Sequence, residues 1–316
     1  MAEIGKDILT AKKILTESGL VAIPTETVYG LAANAFDEKA VIKIFEAKNR
    51  PLFDPLILHT NSIEKIKLFV KEIPESALKL VEKFWPGPLT LLLPKKEIVP
   101  DLVTSGLRDV AVRIPDHTLT LELLSQLEFP LAAPSANLFG YVSPTSALHV
   151  HQQLGEKIEY ILDGGECKVG IESTIVGFEK GKAIVFRLGG LAIEEIENVC
   201  GKVELRINNS SNPNAPGQLK SHYATKKPLC TGNIDEAIEK FQYKRMGVIS
   251  FCKEYPGQLT KTLSPKGNLE EAAQNLFKAM RELDENDSVD FIYAEVFPSE
   301  FLGRAINDRL QRASVF

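Results

Sequence analysis

The chain is predicted to be α/β: a large sheet with helices over residues 1–207, a linker at 208–228, and a smaller α/β unit over 229–316. Three observations predict it. Through the first two hundred residues, apolar runs of strand length alternate with amphipathic helical patterns. The composition then changes at "NNSSNPNAPGQLKSHYATKKP", which holds three prolines and no periodic apolar pattern. A shorter strand–helix alternation follows over about 90 residues, the pattern of a small open sheet.

The elements follow in order. The N-terminus, "MAEIGKDILTAKKIL", reads as helical and charged, without the apolar stretch of a signal peptide, and the helical pattern ends at Gly19. "LVAIPT" is a short buried strand. "DEKAVIKIFEAK" is an amphipathic helix that Asp37 caps. "PLILHT" is a strand, and Asn61 or Ser62 starts the next helix. "PESALKLVEKFW" is helical, with Pro74 near its first position. "LTLLLP", "DVAVRIP", "PLAAPSA", "IEYILDGG", "STIVGFE" and "AIVFRLG" read as strands. Beyond the linker, "NIDEAIEKFQ" is a helix, "RMGVISF" a strand, "NLEEAAQNLFKAMRELDEN" a long amphipathic helix and "VDFIYAEVF" a strand. "FLGRAINDRLQRAS" is a last helix, with Arg304, Asp308, Arg309 and Arg312 expected on its polar side.

Composition narrows the class. Of 316 residues, 44% are hydrophobic and 25% charged, which is globular. No apolar run approaches the ~20 residues that span a bilayer. A soluble cytosolic protein is expected. The four cysteines scatter without a C-x-x-C pair, so neither a zinc site nor a disulfide framework is expected. A net charge of −5 does not advertise a nucleic-acid binder, although a local basic groove stays open. Neither G-x-G-x-x-G nor G-x-x-x-x-G-K-[ST] occurs, so no dinucleotide fold or P-loop is read.

Five stretches could carry chemistry. In "AKNRPLFDPLILH", Pro51 and Pro55 stiffen the backbone beside Lys48, Arg50 and Asp54, and His59 closes the next strand. A guanidinium held this way suits a phosphate or carboxylate; otherwise the stretch is a surface turn with solvated cations. "PTETVYG" puts Thr25, Glu26 and Thr27 at a strand end, or is a helix cap with Glu26 as capping partner. Arg113 interrupts the apolar strand "AVRIP", on a solvent face or as a ligand-holding cation. "APSANLFGYVSPT" offers Ser135, Asn137 and Ser143 in small-residue turns that could cradle an anion. "EST" and Arg187 fall on successive strands that could put them in one groove; otherwise Arg187 is a surface cation. His149 and His151, two apart on a helix, are a poor metal pair. No nucleophile motif stands out. Cations with hydroxyls and one histidine favour electrostatic and positioning catalysis on a polyanion.

In this order, "PTETVYGLAANA", "KNRPLFDPLILH", "WPGPLTLLL", "VAVRIPDH", "APSAN" and "ESTIV" resemble the YrdC-type threonylcarbamoyl-AMP synthase family. "APGQLKSHYATKKPL" and "IYAEVFPSEFLGRAINDRLQRA" resemble the interdomain linker and C-terminal domain of its long branch. The resemblance covers essentially the whole chain. It implies a twisted open mixed sheet in a YrdC-like catalytic domain and a small Rossmann-like C-terminal domain. It also implies a nucleotidyltransferase reaction, with L-threonine, bicarbonate and ATP giving threonylcarbamoyl-AMP and pyrophosphate. Mg²⁺ accompanies the ATP, with no tightly held protein metal site. A tRNA threonylcarbamoyl transferase complex receives the product. By the same resemblance, Thr27, His59, Arg113 and Ser173 surround threonine. Lys48, Arg50, Asp54, Ser135, Ser143, Arg187 and Tyr223 surround the nucleotide, and Lys48 and Arg50 are catalytic. The linker, through Tyr223, is implied to close over the groove. Two positions depart from the family pattern: Asp54 stands where Asn is common, and Ala133 where Thr or Ser is common. The alternative reading is a module that binds double-stranded RNA or tRNA in its basic groove. Carbamoyl transfer is a weaker alternative, since the chain lacks the zinc-finger cysteines and acylphosphatase-like segment of those relatives.

Overall fold

The computed structural model describes residues 1–207, 222–241 and 245–314. The first part is one mixed sheet with helices. Its strands are β1 (Glu3–Gly5), β2 (Val21–Ile23), β3 (Gly30–Asn34), β4 (Ile57–His59), β5 (Leu89–Pro94) and β6 (Asp109–Arg113). They continue with β7 (Leu131–Ala132), β8 (Tyr160–Leu162), β9 (Thr174–Glu179), β10 (Lys182–Arg187) and β11 (Glu204–Leu205). Across the sheet the order is β1-β8-β2-β3-β7-β4-β6-β5-β9-β10-β11. Parallel pairs such as β4 with β6 and antiparallel pairs such as β5 with β6 are interspersed.

The helices of this part are α1 (Ile8–Thr16), α2 (Glu38–Lys48), α3 (Ile63–Phe69), α4 (Glu75–Phe84), α5 (Asp101–Thr104), α6 (Thr118–Ser125), α7 (Ala147–Leu154) and α8 (Ile193–Cys200). Their starts follow the capping chemistry of the sequence. Asp37 accepts from the Lys39 amide to open α2, and Ser62 accepts from the Lys65 amide to open α3. Side chains alternate across the strands. Leu58 and Val112 enter the main core with α2 and α4, while Ile57 and Ala111 point to the opposite face. That opposite face carries the site.

The second part is a fully parallel sheet, β12 (Leu229–Gly232), β13 (Met246–Ser250), β14 (Leu259–Thr262) and β15 (Phe291–Glu295), in the order β12-β15-β13-β14. Helices α9 (Ile234–Lys240), α10 (Leu269–Asp284) and α11 (Phe301–Ala313) complete it. One buried cluster joins the two parts: Val28, Val142, Ile171 and Ala192 pack with Leu276, Phe277 and Ile306. No helix among the described residues is long and apolar enough to cross a membrane.

Three expectations need correction. Residues 3–5 are not helical: they form the edge strand β1, paired in parallel with β8, and the helix begins only after the Asp7 cap. No helix follows "PTET"; the chain turns into β3, so Glu26 is not a capping partner. Arg309 and Arg312 do not lie on a polar face. They are buried on the same stripe of α11 as Leu302, Ile306 and Leu310, because each finds a carboxylate inside. Of the linker expected at 208–228, residues 208–221 lie outside the described residues, while 222–228 lead into β12.

Candidate active site

A small cavity of about 50 Å³ opens on the face of the sheet that carries Ile57. Strand geometry places its first two polar groups. Ile57 and His59 point the same way on β4, and His59 is in parallel register with Arg113 on β6. Both side chains reach the cavity wall. Arg113 is buried, so it is not on a solvent face. Its Nη2 is 2.6 Å from Glu26 Oε1, its Nη1 donates to Thr27 Oγ1 at 2.8 Å, and its Nε donates to Gly87 O at 3.2 Å. Glu26 also accepts from the Asp116 amide at 3.1 Å. The loop after β2 is fixed by Thr25, whose hydroxyl donates to Val28 O at 2.6 Å and lies 2.8 Å from Thr27 Oγ1.

His59 is neutral. Burial, reinforced by the Arg113 charge, pushes its pKa down to about 3. Its Nδ1 lies 3.2 Å from Ile57 O, an acceptor only, so Nδ1 carries the proton and Nε2 is left as an acceptor.

Arg50 reaches the cavity from the turn after α2. Asn49 ends that helix in the left-handed conformation, with φ of 53°. The following loop then wraps around its own arginine. Arg50 Nε donates to Asp54 O at 3.1 Å, its Nη2 donates to Pro55 O at 2.8 Å, and Asp54 Oδ2 lies 3.0 Å from Nη2. The prolines therefore hold the backbone that grips the guanidinium. Burial raises the pKa of Asp54 while Arg50, Lys48 and Arg187 pull it down.

On the far wall, β9 and β10 bring Ser173 and Arg187 together. Arg187 donates from Nε to Ser173 O and from Nη2 to Ser173 Oγ, both at 3.0 Å. Thr90 Oγ1 lies 2.7 Å from the same hydroxyl. Burial lowers the Arg187 pKa to about 10. Ser135 and Ala133 complete the rim, and His222 and Tyr223 cover it. Tyr223 takes φ of 65° and stacks on Phe277 at 5.5 Å.

Of the marked residues, Thr27, Arg50, His59, Arg113, Ser135, Ser173, Arg187 and Tyr223 line this one cavity. Lys48, Asp54 and Ser143 do not reach the wall. Lys48 is buried beneath it and donates to Ser135 O and Asn137 O, each at 2.5 Å, so it braces the 135–137 turn from below. Burial, with Arg50 nearby, drives its pKa well below the ordinary lysine value. Asp54 sits behind Arg50. Ser143 donates to Glu172 Oε1 at 2.5 Å.

Sequence reasoning passed over Glu172 and His222 as functional groups, read Glu26 as a strand-end carboxylate or a capping partner, and put Arg309 on a polar face. The signal for Arg309 was present: it falls three residues after Ile306 and seven after Leu302, on the apolar stripe of α11. Glu26 and Glu172 flank the hydroxyls already marked, and only their arginine partners reveal them.

A family profile described as "Telomere recombination", covering Sua5, YciO and YrdC, matches residues 13–189. A second, described as "Threonylcarbamoyl-AMP synthase, C-terminal domain", matches residues 191–315. The threonylcarbamoyl-AMP synthase of Pyrococcus abyssi is 44% identical over 322 residues, which cover 97% of this chain and 94% of that protein. That of Bacillus subtilis is 41% identical over 321 residues, covering 97% of this chain and 92% of its own. The crystal structure of P. abyssi Sua5 complexed with L-threonine superposes with a TM-score of 0.93 at 43% identity, covering 99% of this chain and 97% of that one. The chain therefore belongs to the Sua5/YciO/YrdC family, among the members that carry the threonylcarbamoyl-AMP synthase C-terminal domain.

Proposed function

We propose that the chain is a threonylcarbamoyl-AMP synthase, a nucleotidyltransferase that joins L-threonine, bicarbonate and ATP into threonylcarbamoyl-AMP, pyrophosphate and water. One observation carries the reading within this family. Three buried guanidinia, of Arg50, Arg113 and Arg187, converge with the hydroxyls of Thr27 and Ser173 on one cavity. Buried cations suit a small polyanion enclosed by protein. A duplex backbone would need them on an open surface.

Arg113 takes the threonine carboxylate. A guanidinium has five N–H donors, and Gly87, Thr27 and Glu26 occupy three directions, leaving two for a carboxylate. Neutral His59 accepts a proton-bearing group of the amino acid through Nε2. Arg50 and Arg187 hold the triphosphate and stabilise charge as the carbamate oxygen attacks the α-phosphorus and pyrophosphate leaves. Both are gripped by backbone oxygens before substrate arrives, so neither reorganises during the reaction. Lys48 acts through the 135–137 turn.

The donor set fits a magnesium ion that arrives on the nucleotide. Mg²⁺ binds mainly through phosphates and water rather than through a dedicated protein cage. The ion supplies charge neutralisation of the phosphates. His222 and Tyr223 close the cavity and exclude water from the acyl adenylate. That product is an activated acyl group, consumed by an acyl transfer for which the tRNA threonylcarbamoyl transferase complex is the proposed acceptor.

The test is pyrophosphate release from ATP and Mg²⁺ with and without L-threonine and bicarbonate. Release that needs both establishes the reading. Threonine-independent release, or salt-sensitive RNA binding with no release, overturns it.

A further inference from the structure

Helix α11 belongs to the second sheet, yet one of its side chains pairs with a residue that lines the cavity of the first. Arg309 is fully buried. Its Nε lies 3.0 Å from Glu172 Oε2, its Nη1 lies 3.0 Å from Asp308 Oδ2, and its guanidinium carbon lies 5.2 Å from the centre of the Tyr223 ring. Asp308 in turn meets Arg312 at 3.0 Å. Two anions and two cations thus form one network whose charges cancel.

Glu172 is the member that lines the cavity. Its backbone neighbours Ser173, the partner of Arg187, and its other oxygen holds Ser143. Arg281 of α10 donates to Ser143 O and Val142 O, so the same turn is gripped twice from the second unit. A carboxylate in this wall opposes a triphosphate unless a cation cancels it, and screening by water is weak where both groups are buried. The three guanidinia that line the cavity already have other partners.

We propose that Arg309 is a positioning residue for nucleotide binding: it neutralises Glu172 and holds it against Ser143, so that the second unit completes the charge balance of the pocket. The inference rests on the reading of the cavity as a triphosphate site. It predicts an effect on ATP that a purely structural contact would not produce. The loss of Arg309 leaves one net negative charge beside the phosphates, and removal of the Glu172 charge restores the balance.

The experiment measures the Kd of ATP by calorimetry, and KM and kcat for threonine-dependent pyrophosphate release. The proteins are the full-length chain, Arg309→Met, Glu172→Gln and the double variant. Arg309→Met is expected to weaken ATP about tenfold with threonine KM changed by less than about threefold, and the double variant to return ATP affinity to within about threefold of the parent. An unaltered ATP affinity in Arg309→Met, or a double variant no better than the single one, overturns the inference. If Arg309→Met does not fold, Arg309→Lys and Glu172→Gln decide. The lysine keeps the charge, so a tenfold loss of ATP affinity in it overturns the inference. Glu172→Gln leaves the network with one net positive charge beside the cavity, so tighter ATP is expected and weaker ATP overturns the inference. A parent chain that binds ATP but releases no pyrophosphate sinks the synthase reading alone, since the Kd series still reports the charge effect. A parent that binds no ATP sinks both.

Discussion

Arg50 and Arg113 show how much of this site is decided by single side chains, and how differently each was legible. That "KNRPLFDP" stiffens a cation could be read from proline geometry. That the loop folds back so that the carbonyls of Asp54 and Pro55 hold the guanidinium could not, because it depends on where β4 begins. Lysine has no planar fork with which to keep both contacts, so Arg50→Lys is expected to lower kcat/KM about a hundredfold in pyrophosphate release. Arg113→Lys is expected to act on the threonine KM with little change in that for ATP, read from the same assay. His59 gives a pH prediction. Its folded pKa of about 3 lies below the ordinary value of 6.5, so below that value the unfolded chain binds a proton that the folded one refuses. The contribution is intact above pH 6.5 and is lost as the pH falls from there toward 3. His149, lowered by burial to about 4, acts in the same direction. Each costs up to about 1.4 kcal/mol per pH unit in that window. The melting temperature should fall from pH 7 to pH 5, and His59→Gln should flatten the fall.

Among elements, those with strong periodicity or caps were legible: α2, α3, α4, α10 and α11 stand where their patterns put them. The strands β1, β3, β11, β12 and β14 were not read. β1 and β11 hold only three and two residues, too few for a period to show, and Gly30–Asn34 is mostly small residues with no alternation. Pairing was not legible either, since β1 meets β8 across more than 150 residues of chain. The approach between the β10 end and the "EST" segment is the element contact on which the site most depends. A Cβ on Gly189 would collide with the backbone of Glu172 and Ser173. Gly189→Ala should therefore displace the wall that holds Ser173 and lower kcat/KM about a hundredfold. Its melting temperature should drop only modestly, and full activity in this variant would mean that the strand moves aside at no cost to the site.

For the whole molecule, the shared cluster of Val28, Val142 and Ile171 with Leu276, Phe277 and Ile306 matters more than the division into two sheets. A core that draws on both units ties their unfolding together. Urea unfolding followed by the fluorescence of Trp85, the chain's one tryptophan, should coincide with far-ultraviolet circular dichroism of the whole chain. Two separated transitions would mean that the interface melts by itself. The alternation that gave the α/β class was visible from the sequence. The pairing that lets Arg309 stay buried was not, because its partner Glu172 lies more than a hundred residues away in the chain.

The order of the wide sheet has one more consequence, which concerns other copies of the chain. Among the described residues, the sheet ends on β1 at one side and on β11 at the other, three residues and two residues long. Nine longer or internal strands have both flanks occupied, and the two outer ladders are too brief to template a foreign strand. Crowded molecules therefore gain almost nothing by zipping edge to edge, and the architecture resists fibril growth from its widest, most strand-rich element without a single proline or bulge placed on the outer strands for that purpose.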